Sequence, residues 1–299
     1  MKQLSHYVAI VCLSLTPMSY TQAAKTTEEN ILWPNGIIDN PITYANPNRM
    51  RNESYHPDAP LQSCRVYSNV QTPTYYIYQP APNKNTGVSM VVLPGGGYRD
   101  IWLDTEGHNI ALFFRERGIT SLVIKYRTNT RDKDGKQQMT REQYVPHAVR
   151  DAQEGIRILR SKADELNIDP KKVGMGGFSA GGHLTLSVCL TPVEKDPQSY
   201  PNFAFLIYPW LMDCFESQVA PAKNLPPMFI VNGQEDDVTP PGMCASFYQT
   251  LCENMVPAEM HIYAKGRHGF TLGLGTGHST IQWKNSFIQW LKDIEMIDD

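Results

Sequence analysis

Ser179 stands in the run Gly177-Phe178-Ser179-Ala180-Gly181, a G-x-S-x-G pattern with further glycines at Gly174, Gly176 and Gly182. A nucleophilic serine has this spacing when a strand turns sharply into a helix. The turn lifts the hydroxyl into the open, and hydrogen side chains beside it let strand and helix pass close to the bend. A serine hydroxyl is a poor nucleophile at neutral pH. The chemistry therefore also needs a base to take its proton, a carboxylate to orient that base, and N–H donors for the oxyanion of acyl transfer. The bare pattern recurs by chance in roughly one chain in ten of this length, so its partners decide its meaning.

Those partners are present. PGGGY, Pro94 to Tyr98, follows an apolar run and offers exposed backbone N–H groups; it lacks the Lys and Ser/Thr of a phosphate-binding loop. NGQEDDVTPP places Asp236 and Asp237 just after a second apolar run, and AKGRHGF places His268 just after a third. The chain order is serine, acid, histidine, one of the known orders for such a set. His268 is reached by elimination. His6 lies in the N-terminal apolar segment, His56 in a Pro/Asn-rich stretch, and His147 opens a helix. His108 and His261 fall within predicted elements and His278 in a Gly-rich loop, while His183, one turn into the serine's helix, suits packing or hydrogen bonding. Either aspartate meets the need for an acid on these grounds.

The elements that must position these groups follow from hydrophobic pattern. Apolar strand runs at Thr72–Pro80, Val88–Pro94, Thr120–Tyr126, Lys171–Gly177, Phe203–Pro209, Met228–Gly233 and Ala258–Ala264 alternate with helical patterns. The helices are predicted at Gly107–Gly118, from Pro146 to about Leu166, at Cys244–Asn254, and after Thr280. Regular alternation predicts an α/β fold, a mainly parallel sheet with helices on both faces. The candidate residues all fall at strand ends, where such sheets gather functional groups.

The rest of the chain bounds the setting. Lys2, the apolar run Tyr7–Leu15 and the small-residue site TQAA at Thr21–Ala24 read as a secretory signal over residues 1–24, cleaved after Ala23 or Ala24. The apolar run is too short for a membrane span. The expected mature unit, residues 25–299, is a single domain with an extended arm over about 25–67, secreted or periplasmic. Removal of Cys12 leaves Cys64, Cys189, Cys214, Cys244 and Cys252, allowing at most two disulfides. The polar stretch Arg127–Val145 is read as a solvated surface excursion, with a lid as the alternative. With 299 residues and a formal net charge of -3, no basic face favours nucleic acid or an anionic membrane. No His/Cys/Asp/Glu group has metal-ligand spacing, so no metal or organic cofactor is expected.

From Val88 to about Trp290, the stretches VVLPGGGY, EGHNIALFFRERGITSLVIKYR, HAVRDAQEGIRILR, GMGGFSAGGHL, NGQEDDVTPP and MHIYAKGRHGF together resemble the α/β-hydrolase superfamily. Within it they are similar to secreted carbohydrate esterases of the acetyl xylan esterase type. The resemblance implies Ser179 as nucleophile, His268 as base, and oxyanion donors around Gly96 and Gly97 plus Ala180. Its aspartate-x-x-x-proline pattern fits Asp236 with Pro240, one residue away from Asp237. PGGGY stands where lipase-like relatives carry HGGG, which points to carbohydrate-active members.

The expected function is a serine esterase removing short acyl groups, acetyl foremost, from plant-type polysaccharides or oligosaccharides. Its partner is then an acylated carbohydrate, and Tyr98, Trp102 and Trp210 are the aromatics nearest predicted strand ends. The alternatives are a feruloyl-type esterase or serine peptidase on the same fold, and a noncatalytic carbohydrate-binding protein.

Overall fold

A computed structural model of the chain describes residues 28–37, 44, 47–54, 63–129, 139–191, 196–211, 219, 224–273 and 278–298. The predicted signal segment and the middle of the Arg127–Val145 stretch lie outside the described residues. In chain order the strands are Asn30–Ile31 (β1), Arg49–Ser54 (β2), Ser63–Ser68 (β3), Thr74–Tyr78 (β4), Ser89–Leu93 (β5) and Asp100–Trp102 (β6). Thr120–Lys125 (β7), Val173–Phe178 (β8), Ala204–Ile207 (β9), Met228–Gly233 (β10) and Ala258–Tyr263 (β11) follow. Among the described residues the α-helices are Asn109–Glu116 (α1), Arg141–Ser161 (α2), Ala163–Leu166 (α3), Ala180–Cys189 (α4), Pro241–Glu253 (α5) and Trp283–Asp293 (α6).

Among the described residues eight strands form one sheet in the order β1-β4-β7-β5-β8-β9-β10-β11. The pairings from β7 to β11 are parallel, and β4 is antiparallel to both its neighbours. This is the expected α/β class. Side-chain alternation shows why the strands read as unbroken apolar runs. Phe205 and Phe229 meet Phe287 of α6 at ring distances of 5.3 and 5.4 Å, whereas Leu206 and Ile230 join Leu186 of α4 and Phe247 and Leu251 of α5. Both faces are thus covered, and each buried Phe or Leu contributes about 1.5–3 kcal/mol of transfer free energy.

Two regions depart from the sequence expectation. The arm contributes β1 to the sheet edge, and in a separate antiparallel sheet β3 lies between β2 and β6, Val66 opposite Trp102. Helix α2 begins at Arg141 and not at Pro146, because the Gln143 side chain accepts the Thr140 N–H at 2.8 Å and caps the earlier start. Tyr144, in that extra turn, is buried with its ring 5.3 Å from Tyr98. The described cysteines Cys64, Cys189, Cys244 and Cys252 are free thiols.

Candidate active site

Strand β8 delivers Ser179 to the carboxyl edge of the sheet in a conformation that few non-glycine residues adopt, φ 52° and ψ −117°. Its N–H donates to the Ile207 carbonyl at 3.0 Å, and its carbonyl accepts from His183 and Trp210 at 3.1 and 3.2 Å. A Cβ on Gly177 would stand 2.4 Å from the Gly181 carbonyl carbon, and one on Gly181 would stand 2.0 Å from the Leu93 carbonyl oxygen. The bend therefore admits only glycine at both ends of G-x-S-x-G, which leaves Ser179 half-buried with its hydroxyl facing a pocket.

The loops after β10 and β11 meet that hydroxyl. His268 Nε2 lies 2.9 Å from Ser179 Oγ, and His268 Nδ1 lies 2.8 Å from Asp236 Oδ2. Asp236 is buried and held by its own loop: Oδ1 accepts from the Val238 and Thr239 amides at 2.9 and 2.8 Å, and Oδ2 lies 2.8 Å from the Thr239 hydroxyl. Burial raises the carboxyl pKa. The hydrogen bond and charge of His268 and the two Thr239 donors outweigh it and hold the group below its ordinary value. Asp237 is exposed; Asp236 is the aspartate that reaches His268.

PGGGY runs beside Ser179. Gly96 has φ 133°, its carbonyl accepts from the Arg99 and Asp100 amides at 3.1 and 2.9 Å, and a Cβ there would lie 2.1 Å from the Asp100 carbonyl oxygen. Gly97 has φ 62° and open space around it. Across the gap Ala180 opens α4, so its N–H has no acceptor within the helix. The three predicted oxyanion donors thus sit in the two backbone segments flanking Ser179.

Glu106 is the residue that sequence reasoning missed. It is 4% exposed and lies in a π-helical turn, Asp104–His108, that leads into α1. Its carboxylate accepts the Gly95 N–H at 2.6 Å and the Tyr208 hydroxyl at 2.8 Å. Burial raises its pKa, and these two donors and His268 counter that only in part. An acidic residue just before an apolar helical run was the available signal; the wider turn that aims it inward has no sequence period.

A pocket of about 440 Å³ opens over Ser179 and His268, within the range of small-molecule sites. Its outer wall includes Trp102 and Arg99, brought there by β6 and so by the small sheet. Buried Asp100 anchors that wall through Arg51 of β2 at 2.9 Å and Arg99 at 2.8 Å. Of the three candidate aromatics, Trp102 lines the pocket. Tyr98 is fully buried, its hydroxyl 2.6 Å from His183 Nδ1, and Trp210 packs on His183 with the Arg141 guanidinium above it at 4.7 Å. Among the described residues no His/Cys/Asp/Glu group has the arrangement of a metal site, and no helix is long and apolar enough to cross a membrane.

Residues 139–223 match the family described as alpha/beta hydrolase fold, and residues 214–295 match the prolyl oligopeptidase family. The chain has the α/β-hydrolase fold. The chain is similar to an acetylxylan esterase of Xylanibacter ruminicola, 29% identical over 71% of this chain and 47% of that protein. It is also similar to an endo-1,4-beta-xylanase B of Butyrivibrio fibrisolvens, 27% identical over 61% of this chain and 32% of that protein. It therefore spans about half the length of the first relative and about a third of the second. Among solved structures it resembles an acetyl ester-xyloside bifunctional hydrolase from Caldicellulosiruptor lactoaceticus. The TM-score is 0.65 and the identity 25%, covering 91% of this chain and 98% of that one.

Proposed function

We propose that the protein is an exported serine esterase that removes short acyl groups, acetyl foremost, from plant-type polysaccharides or their oligosaccharides. The observation that carries this reading is the continuous hydrogen-bonded path from Ser179 through His268 to Asp236 beside the PGGGY loop. The similarity to an acetylxylan esterase supports the choice of ester and sugar. Ser179 Oγ attacks the ester carbonyl carbon as its proton passes to His268 Nε2. Asp236 fixes the Nδ1–H tautomer and stabilises the imidazolium. The oxyanion is met by amides of Gly96, Gly97 and Ala180. Collapse breaks the bond to the sugar oxygen, which takes the proton from His268 and leaves an acyl-Ser179. Water, deprotonated by His268, then attacks the acyl carbon, and a carboxylic acid departs as Ser179 regains its proton. Trp102 offers a face on which the sugar side of the substrate rests.

The prolyl oligopeptidase match over residues 214–295 favours one second reading, peptide hydrolysis by the same three residues. One panel separates the two: p-nitrophenyl acetate, butyrate and octanoate, acetylated xylan, a feruloylated sugar and a proline-containing peptide. The proposal expects acetate above octanoate, and acetylated oligosaccharides above the aryl acetate in kcat/KM, because remote sugar contacts lower the barrier at the reacting bond. Preference for octanoate, or feruloyl cleavage with acetate untouched, would remove the acetylesterase assignment. Peptide cleavage without ester turnover would establish the peptidase. Export predicts a mature N-terminus at Ala24 or Lys25, read by N-terminal sequencing of protein from its native host.

A further inference from the structure

We propose that Glu106, acting through Tyr208, is a positioning residue that locks the oxyanion loop and the histidine loop into one arrangement and thereby sets kcat. This rests on the esterase reading above. Glu106 touches both sides of the reaction centre without lying on the proton path. One carboxylate oxygen takes the Gly95 N–H at 2.6 Å, while the Gly95 carbonyl accepts from Trp102 N at 3.2 Å, so Gly95 is held at both its polar groups. The fit leaves no slack. A Cβ at Gly95 would lie 2.5 Å from the Phe178 carbonyl oxygen, 2.8 Å from Glu106 Oε2 and 3.0 Å from Ser179 Cβ. The amides of Gly96 and Gly97 follow directly, so their aim depends on where Gly95 is pinned.

The other carboxylate oxygen takes the Tyr208 hydroxyl at 2.8 Å. Tyr208 lies just past β9 with φ 36°, a left-handed conformation that persists in a tyrosine only where its surroundings enforce it. Its hydroxyl accepts the Thr271 N–H at 3.3 Å, its ring stands 4.9 Å from His268 and 4.7 Å from Phe270, and its carbonyl lies 3.1 Å from the Thr239 hydroxyl beside Asp236. Glu106 and Tyr208 thus join PGGGY, the histidine loop and the aspartate loop, and the π turn supplies the reach from outside the sheet.

The alternative is that Glu106 merely satisfies buried donors. Stability alone would then respond. The test makes Glu106→Gln, Glu106→Ala, Tyr208→Phe and the Glu106→Gln/Tyr208→Phe pair in the full chain. It counts competent sites with an organophosphonate and measures kcat per titrated site and KM on p-nitrophenyl acetate beside Tm. The expected result is a fall in kcat of about tenfold to a hundredfold for Glu106→Gln, as for small misplacements of reacting groups, with KM nearly unchanged. Tyr208→Phe should fall less, the pair little further than Glu106→Gln, and Glu106→Ala furthest. Wild-type kcat per site in both Glu106→Gln and Tyr208→Phe, with only Tm lowered, overturns the proposal; if Glu106→Gln does not fold, Tyr208→Phe decides alone. Ser179→Ala is the control. An active wild type with an inactive Ser179→Ala and unaffected Glu106 variants defeats this inference only, whereas activity that survives Ser179→Ala, or a wild type that cleaves no ester, defeats the esterase reading and this inference with it.

Discussion

Asp236 and Glu106 are both buried carboxylates that flank one serine, and their surroundings drive them in opposite directions. Around Asp236 two loop amides, a hydroxyl and the Nδ1–H of His268 converge, and the group is held below its ordinary pKa. Glu106 has one amide and one phenol against full burial, and its pKa rises. On the proposed mechanism a carboxylate facing a nascent imidazolium needs to be charged through the cycle. One that only pins a loop needs no such charge. Proximity to the reaction centre therefore does not fix a role; the number and charge of the donors do.

The largest effect that would break this division is on turnover. Ser179→Ala and His268→Ala should each lower kcat by on the order of 10⁴- to 10⁶-fold, Asp236→Ala by less, and the combination by little more than either alone. Asp237→Ala should stay near wild type. Collapse at Asp237 with Asp236→Ala active would exchange the two aspartates. Next comes the loop that Glu106 pins. Gly95→Ala forces a Cβ against the Phe178 carbonyl and the Glu106 carboxylate and should cost about 1–3 kcal/mol of stability, as overpacking does, together with turnover. Gly97→Ala meets open space and should cost about 1 kcal/mol from its left-handed backbone alone. Urea melts with kcat per titrated site compare them, and equal effects would mean that Gly95 is not pinned.

The smallest effect is the pH dependence of stability, where the carboxylates should show opposite signs. A depressed Asp236 contributes stability that is complete above its unfolded value of about 3.9 and lost as pH falls through the folded one. Glu106 binds its proton more tightly when folded, facing Tyr208, Tyr126 and His268. Wild-type stability should therefore decline as pH rises from about 4.3 through the raised value. Relative to wild type, the Tm of Asp236→Asn should worsen as pH rises, and that of Glu106→Gln should improve. Thermal melts from acid to neutral pH check both slopes.

The two carboxylates also differ in how they appear in the sequence. β5, β8 and β10 are buried on both faces and read as continuous apolar runs, so the residues just beyond them, Ser179 and the Asp236–Asp237 pair among them, could be placed at strand ends. The glycines of G-x-S-x-G were legible because contacts of 2.0–2.4 Å would follow any side chain there. Glu106 was not, because a five-residue π turn leaves no period of 3.6. Nor was the small sheet that brings Trp102 and Arg99 to the pocket: β2 and β3 are polar, RMRNES and SCRVYS, and β3 reaches the site through the three-residue β6. Tyr98 is one of the three aromatics nearest predicted strand ends, and φ 58° after three glycines turns it inward against His183.

On the proposed mechanism Ser179 carries the acyl group. Mixing the protein with p-nitrophenyl acetate, quenching in acid during the first turnovers and locating the added mass by peptide mass spectrometry checks this. An acetyl group on Ser179, absent from Ser179→Ala, which also ceases to release acetate, is the predicted result. An adduct on another residue, or acetate release that persists in Ser179→Ala, would contradict it.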